Sequence, residues 1–545
     1  MCSKNLEDNF EIAGPVFPNL IFDSKFFQSK KIQCFKKMSS SLLKHEIKLR
    51  TRLANKNLKR RIVTCNNGDI RHIKNYVACF TKALPHDKRG KVSVKDFLTL
   101  LRGLRTGSWE IEKVKLGGSL KLVDPACLFS TELFGLYPAT YRLASCPNFS
   151  SVQTASEMAE LYAMALLRDL PFTSYTTNLA VMSVCDMLNG FSDFRGPKSR
   201  TQVSKTFGGK VTSSVLFRCN TRGDVEGPYV SQFFFYSYNQ GIASLAQKYV
   251  FFTPGVDYMT TNETVLSCQN GTVLEKRITA PTYSRYITNL RDGASYCYND
   301  LPGQPAATAA MILLTLKTPF GSYNPYANGT LTKEAAFVDF GIVDMFNLIE
   351  RGTRLALLAC WQHKWSNLRL RPEAFGIQVQ RACTKKENPY GISRELLESP
   401  ILKRIAHKYG SYYLPQAYPE GCPVHPAYPG GHAVLAGCTI TIVKAFFDCS
   451  GKMKGFVPSS DGTKLVDVGI DLNINDELDK YASNIAMFRS AAGIHYRSDN
   501  QAGLELGELV GLELLHEHVK RYTFAKKVGF VVKKRNGDVV KILNH

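Results

Sequence analysis

The alternation of apolar and polar positions divides the chain into long helical runs separated by glycine- and proline-rich breaks. The clearest runs are 154–168 (TASEMAELYAMALLR), 242–249, 304–316, 332–369, 432–448, 478–489 and 500–521. Several are apolar on nearly every face, which places them inside helical bundles rather than on a surface. The segments 188–196, 221–228, 254–256, 320–329 and 414–431 carry the glycines and prolines of loops. Two stretches read as β-structure. Residues 451–473 (GKMKGFVPSSDGTKLVDVGIDLN) suggest a solvent-exposed insertion with a short hairpin. Residues 528–544 hold two β-prone runs around Asn536-Gly537-Asp538. The expectation is a mainly α protein with few short strands.

Length changes this picture little: 545 residues suffice for one large core or two subdomains. Hydrophobic residues make up 44% and charged residues 21%, as in ordinary globular proteins. No window reaches 18 uninterrupted apolar residues, so no transmembrane helix is expected. The first residues, MCSKNLEDNFEIAGPVF, lack a basic segment followed by an apolar one, and the expectation is a soluble, cytoplasmic chain without a signal peptide. The 15 cysteines show no C-x-x-C or zinc-finger spacing and read as reduced, buried small hydrophobes. Four N-x-S/T sequons, at Asn148, Asn262, Asn270 and Asn328, would matter only in a secreted chain.

Charge changes the picture more. The formal net charge is +23, and residues 25–61 hold 13 Lys/Arg against one acid, Glu46. Such an arm suits nucleic acid, an anionic surface or acidic partners, or is simply a solvated, partly disordered extension. No nucleic-acid-binding motif accompanies it. The expected organisation is a basic extension over 1–90, a helical catalytic domain over 91–525 and a hairpin tail over 526–545.

Three stretches carry candidate chemistry. In HPAYPGGHA (425–433), Pro429 is excluded from a helix interior, and Gly430 and Gly431 open the helix that holds His432. A glycine-lined helix N-terminus is a natural anion site, and a histidine there can pass a proton. In WQHKWSNLRLRPEAFG (361–376), Lys364 and Arg371 are seven apart. On a continuing helix this returns them to one face, about 20° short of two turns, with Trp361 beside them and Pro372 ending the helix. FRSAAGIHYRSD (488–499) offers Arg489, His495 and Asp499, the last placed to orient His495 if the segment is helical. Each stretch alone has an ordinary explanation. Together they form a set for holding a tetrahedral oxyanion: forked arginine donors, a lysine charge, glycine N–H groups and two histidines able to bind the central atom or move a proton.

In this order, K-x6-R-P, P-G-G-H and R-x5-H-x3-D resemble the three-part signature shared by vanadium-dependent haloperoxidases and type 2 phosphatidic acid phosphatases. EMAELYAMALLRDLPF (157–172), GPYVSQFFF (227–235), DYMT (257–260) and HPAYPGGHA resemble the bromoperoxidase branch, where a histidine stands at the place of His425. The similarity runs from about residue 115 to 518. The resemblance implies two four-helix bundles, a vanadate cofactor and a homo-oligomer. The reaction it implies is oxidation of bromide or iodide by hydrogen peroxide, the oxidised halide then halogenating organic acceptors. It makes His495 the ligand to vanadium and His432 the acid–base partner. Lys364, Arg371, Arg489, Gly430 and Gly431 surround the vanadate, with Lys364 polarising bound peroxide. His425 tunes halide use, Asp499 orients His495 or pairs with a nearby arginine, and Trp361 orients the site. Three departures stand out. Gly430 replaces the usual serine and removes a hydroxyl donor. Phe488 replaces another serine. Six residues rather than the branch's common seven separate Lys364 from Arg371, which bears on the orientation of Lys364. Two other readings use the same residues: an acid phosphatase with His495 as nucleophile and His432 as leaving-group acid, and a degenerate homologue that binds through its basic arm.

Overall fold

The structure, a computed structural model, describes residues 30–58, 67–72, 76–132, 140–198, 209–274, 280 and 283–544. The chain divides into two units, Met1–Leu58 and Lys59–His545. In the first, Lys30–Leu58 is one helix, α1, and most side chains over 40–57 are exposed or half-exposed. The remainder of the basic stretch, 25–29 and 59–61, lies outside the described residues.

The second unit is mainly helical. Its helices of ten residues or more, among the described residues, are α2 (Val94–Thr106), α3 (Val152–Leu167), α4 (Leu179–Asn189), α5 (Leu290–Asn299), α6 (Gln304–Thr315), α7 (Ile342–Asn367), α8 (Pro372–Lys385), α9 (Pro400–Tyr409), α10 (Gly431–Phe446), α11 (Ile474–Ala491) and α12 (Arg497–His518). Three two-stranded antiparallel pairs complete it: β1 (Tyr238–Gln240) with β2 (Ala243–Leu245), β3 (Lys452–Pro458) with β4 (Leu465–Asn473), and β5 (Gly529–Lys533) with β6 (Val539–Leu543). The last two pairs are the hairpins that the sequence suggests at 451–473 and 528–544. No helix among the described residues is long and apolar enough to cross a membrane.

Helices α7, α10, α11 and α12 pack on one another as a four-helix bundle. The residues of α10 from Ala433 to Phe446 are all buried, which explains its lack of a polar face. Close approach of α10 and α12 depends on missing side chains. A Cβ on Gly507 would lie 2.1 Å from the Val434 carbonyl oxygen, and one on Gly437 would lie 2.4 Å from that of Leu504. This seam brings the start of α10 beside the start of α12. A second packed group joins α3, α4 and α9 with the single turn Arg394–Leu397.

Several elements differ from the sequence expectation. Residues 242–249 are not helical: Ala243–Leu245 pairs with Tyr238–Gln240 across Gly241-Ile242, with Gly241 at φ +59°. A two-residue turn with a leading glycine favours a hairpin, and most of this exposed segment has no apolar face to bury as a helix. The long helix expected from 332 begins only at Ile342. Phe340 takes φ +57°, and its N–H donates to the Asp344 carboxylate at 3.0 Å, which fixes the start. The helix expected to run through Lys364 and Arg371 ends at Asn367, where Leu368 turns left-handed at φ +55°. Arg371 is instead the N-cap of α8, and Pro372 starts that helix rather than stopping the previous one. Residues 76–90, expected in the N-terminal extension, place Phe80, Ala83 and Leu84 in a buried cluster with Trp365 and Leu368.

Candidate active site

The site gathers where α7 ends, α8, α10 and α12 begin and α11 ends. Gly430 caps α10 with extended backbone, and Gly431 is its first residue. The N–H groups of that first turn lack intrahelical acceptors. His425 and the loop through Pro429, whose peptide bond is cis, run into this helix start. Lys364 lies in the last turn of α7 and Arg371 at the start of α8. Arg489 sits in the last turn of α11 and His495 in the link to α12. Residues scattered over more than a hundred positions thus meet at helix termini.

His495 and Asp499 are joined as the sequence suggests, though His495 precedes the helix rather than lying on it. His495 Nδ1 is 2.9 Å from Asp499 Oδ2, and Arg369 Nη1 donates to Asp499 Oδ1 at 2.6 Å. A carboxylate on Nδ1 holds that nitrogen protonated and leaves the lone pair on Nε2. Nε2 faces Arg371 Nη1 at 3.0 Å. Arg371 also donates to the carbonyls of His425 (2.9 Å) and Ile494 (2.8 Å) and to His425 Nδ1 (3.0 Å). Arg371 therefore sits between two neutral imidazoles. Burial, and then the neighbouring Arg371 and Lys364 charges, push both His425 and His495 well below the usual histidine range. Trp361 covers His425, with ring centroids 4.7 Å apart.

Lys364 is fully buried. It donates to the carbonyls of Pro426 and Ala427, each at 3.1 Å, and to that of Pro429. It pins the 426–429 loop and offers positive charge more than an idle N–H. Burial lowers its pKa to about 7. Arg489 donates to the Cys297 carbonyl (2.8 Å) and the Tyr418 hydroxyl (3.1 Å), while its buried Nε has no partner. His432 is the more open group, its side chain 27% exposed, and its Nε2 lies 3.0 Å from Asp300 Oδ1. Access to the site therefore comes from the His432 side.

These residues fit a tetrahedral oxyanion. Among the described residues, Lys364, Arg371 and Arg489 converge without a carboxylate of their own, one arginine N–H is buried and unpartnered, and a helix N-terminus adds donors. Two neighbouring carboxylates are already engaged, Asp499 by Arg369 and His495, Asp300 by His432.

The comparisons agree with this geometry. A model of the second helical-bundle domain of the vanadium chloroperoxidases matches residues 344–524, which contain all of the residues above except Asp300 and Cys297. A vanadium-dependent bromoperoxidase from Ascophyllum nodosum is 33% identical over 503 residues, covering 88% of this chain and 88% of the relative. The chain belongs to the vanadium-dependent bromoperoxidases. A second member of that family, from Corallina officinalis, is 29% identical over 555 residues, covering 87% of this chain and 92% of its own. The solved structure of a homohexameric vanadate-dependent bromoperoxidase from Ascophyllum nodosum superposes with a TM-score of 0.85 at 25% identity, covering 99% of this chain and 95% of that one.

For this bromoperoxidase family member, sequence reading missed four supporting groups. Asp300, the C-cap of α5, pairs with His432 from 132 residues away. Arg369 neutralises Asp499, with Glu157 3.6 Å from its other nitrogen. Tyr418 lies under Arg489. Ser490 holds the His495 carbonyl at 2.8 Å. None carries a local signal except Arg369, which belongs to the same R-L-R-P run as Arg371.

Proposed function

We propose that the chain is a vanadate-dependent haloperoxidase that oxidises bromide or iodide with hydrogen peroxide, the oxidised halide then halogenating small organic acceptors. The observation that carries this reading is the cluster of three cations, free of carboxylate partners, around the lone pair of His495 Nε2. Vanadate, when bound, supplies a Lewis-acidic centre that activates peroxide without changing its own oxidation state. The chain's residues do the rest. Arg371 and Arg489 hold oxyanion charge through N–H donors, and Lys364 adds charge through the loop it pins. Asp499 keeps the proton on His495 Nδ1 so that Nε2 faces the anion. Asp300 holds His432 by Nε2 and so positions the ring as the acid–base partner at the site. His425, packed at a tilt against Trp361, borders the same space and is suited to tune halide access.

Three further elements belong to this reading. A homo-oligomeric state is supported by the homohexameric relative. A reducing, cytoplasmic setting is supported by the free cysteines, buried at every described position but Cys383. Contact of the basic arm with acidic partners is supported by the basic side chains of α1 that are exposed, Lys44, Lys48, Arg50 and Arg52.

The test is a paired assay on one preparation, with His495→Ala as control. Vanadate-loaded protein is expected to oxidise bromide or iodide in the presence of peroxide, and the variant is expected to lose this. Phosphate-ester hydrolysis by the metal-free protein without any vanadate-dependent halide oxidation would instead establish a phosphatase. Silence in both assays, with no vanadate bound, would mark a degenerate site.

A further inference from the structure

Asn500 follows Asp499 on α12 and is 1% exposed. Its Nδ2 donates to Ser490 Oγ at 2.8 Å, and Ser490 Oγ donates to the His495 carbonyl at 2.8 Å. That carbonyl can only accept, so the single serine proton is committed to it. Ser490 Oγ must then accept from Asn500, which fixes the amide with its NH2 group toward Ser490. The carbonyl end, Oδ1, is left buried and, among the described residues, without a hydrogen-bond partner. A Cβ on Gly430 would lie 3.0 Å from this oxygen, the nearest atom to it. A lone, unpartnered acceptor thus lies against the helix start, close to the cluster of cations.

We propose that Asn500 Oδ1 accepts a hydrogen bond from a protonated oxygen of the bound anion, and that this chain thereby selects protonated tetrahedral oxyanions over fully deprotonated ones. The inference rests on the oxyanion reading of the site. Vanadate and phosphate carry a proton near neutral pH, and sulfate does not. Against sulfate the buried carbonyl oxygen stays unpartnered and faces a negatively charged oxygen, so the site discriminates by a repulsive contact as well as an attractive one. Glycine at position 430 is part of the device. It leaves open the space beside Oδ1 that a side chain there would fill.

The experiment is calorimetric titration of the full-length protein with orthovanadate, inorganic phosphate and sulfate at pH 7. Wild type is expected to bind phosphate at least about tenfold more tightly than sulfate. Asn500→Leu, of similar size but without the acceptor, is expected to weaken phosphate and vanadate about tenfold while sulfate binding holds or improves. Ser490→Ala, which releases the amide from the orientation that Ser490 fixes, is expected to erode the preference as well. Gly430→Ala, compatible with φ −69° and ψ 123°, places a methyl against Oδ1 and is expected to erode the preference without adding to Asn500→Leu. It keeps the test open if the leucine variant does not fold. Equal loss of phosphate and sulfate in Asn500→Leu and Gly430→Ala would show a structural role and overturn the proposal, as would an unchanged preference. Failure of wild type to bind any of the three anions would overturn the oxyanion reading instead.

Discussion

Two buried charge clusters in this molecule use the same side chains to opposite ends. In one, Arg168 and Arg291 are met by Asp257 and Asp169, and the Tyr409 hydroxyl donates to Asp257 at 2.6 Å. Burial opposes the charge on Arg291, but its carboxylates outweigh that and hold its pKa above the ordinary value. In the other, Lys364, Arg371 and Arg489 have carbonyls, a hydroxyl and imidazoles for partners but, among the described residues, no carboxylate. Burial lowers Arg371, and Lys364 to about 7. The first cluster is satisfied by the fold and ties it together. The second carries a charge that the fold does not meet, which is the physical mark of a site awaiting an anion. The contrast is sharpest within one strand of sequence. Arg369 is held above its ordinary value because Asp499 and other acidic neighbours outweigh burial, whereas Arg371, two residues on, is lowered.

The comparison can be broken most directly by removing one arginine from each cluster. Arg291→Met is expected to cost about 1.5–3 kcal/mol of stability in thermal or denaturant unfolding, because Asp169 loses its ion-pair partner and Asp257 keeps only Arg168. Arg489→Met is expected to leave the stability of the anion-free protein little changed and to weaken vanadate or phosphate binding about a hundredfold by calorimetry. Equal stability losses in the two variants would erase the distinction.

The supporting carboxylate gives a smaller effect. Asp499→Asn removes the acceptor that fixes the His495 tautomer and is expected to weaken vanadate binding about 10- to 100-fold. An unchanged affinity would mean that Arg371 alone orients the ring.

The pH dependence of Lys364 sharpens the comparison further. A lysine lowered from 10.5 to about 7 binds fewer protons folded than unfolded between those values. The anion-free protein should therefore gain stability as pH rises through that window, by about 1.4 kcal/mol per unit from this group. Below about 7 the whole penalty is present. Anion binding favours the charged lysine, so affinity should fall as pH rises above 7. Both slopes are expected to diminish in Lys364→Met, read as the difference from wild type in unfolding and titration series.

How much of this was legible beforehand differs from residue to residue. The three motifs named the residues that meet, because their chemistry is a matter of residue type and close spacing. His495 and Asp499 are joined by a 2.9 Å contact four positions apart. Arg371 was misplaced on a helix because spacing alone cannot show that Leu368 breaks it. Asp300 was invisible because nothing near it in the chain implies His432.

The amino-acid sequence by itself determined the helical class, the family and the inventory of the site, since apolar periodicity and ordered motifs are local properties. The tertiary structure alone decided which charges are neutralised. Whether an arginine meets a carboxylate, a carbonyl or an imidazole depends on segments brought together by packing, here along a glycine seam between α10 and α12. Burial then turns each such encounter into a shift of charge and affinity that no local pattern contains.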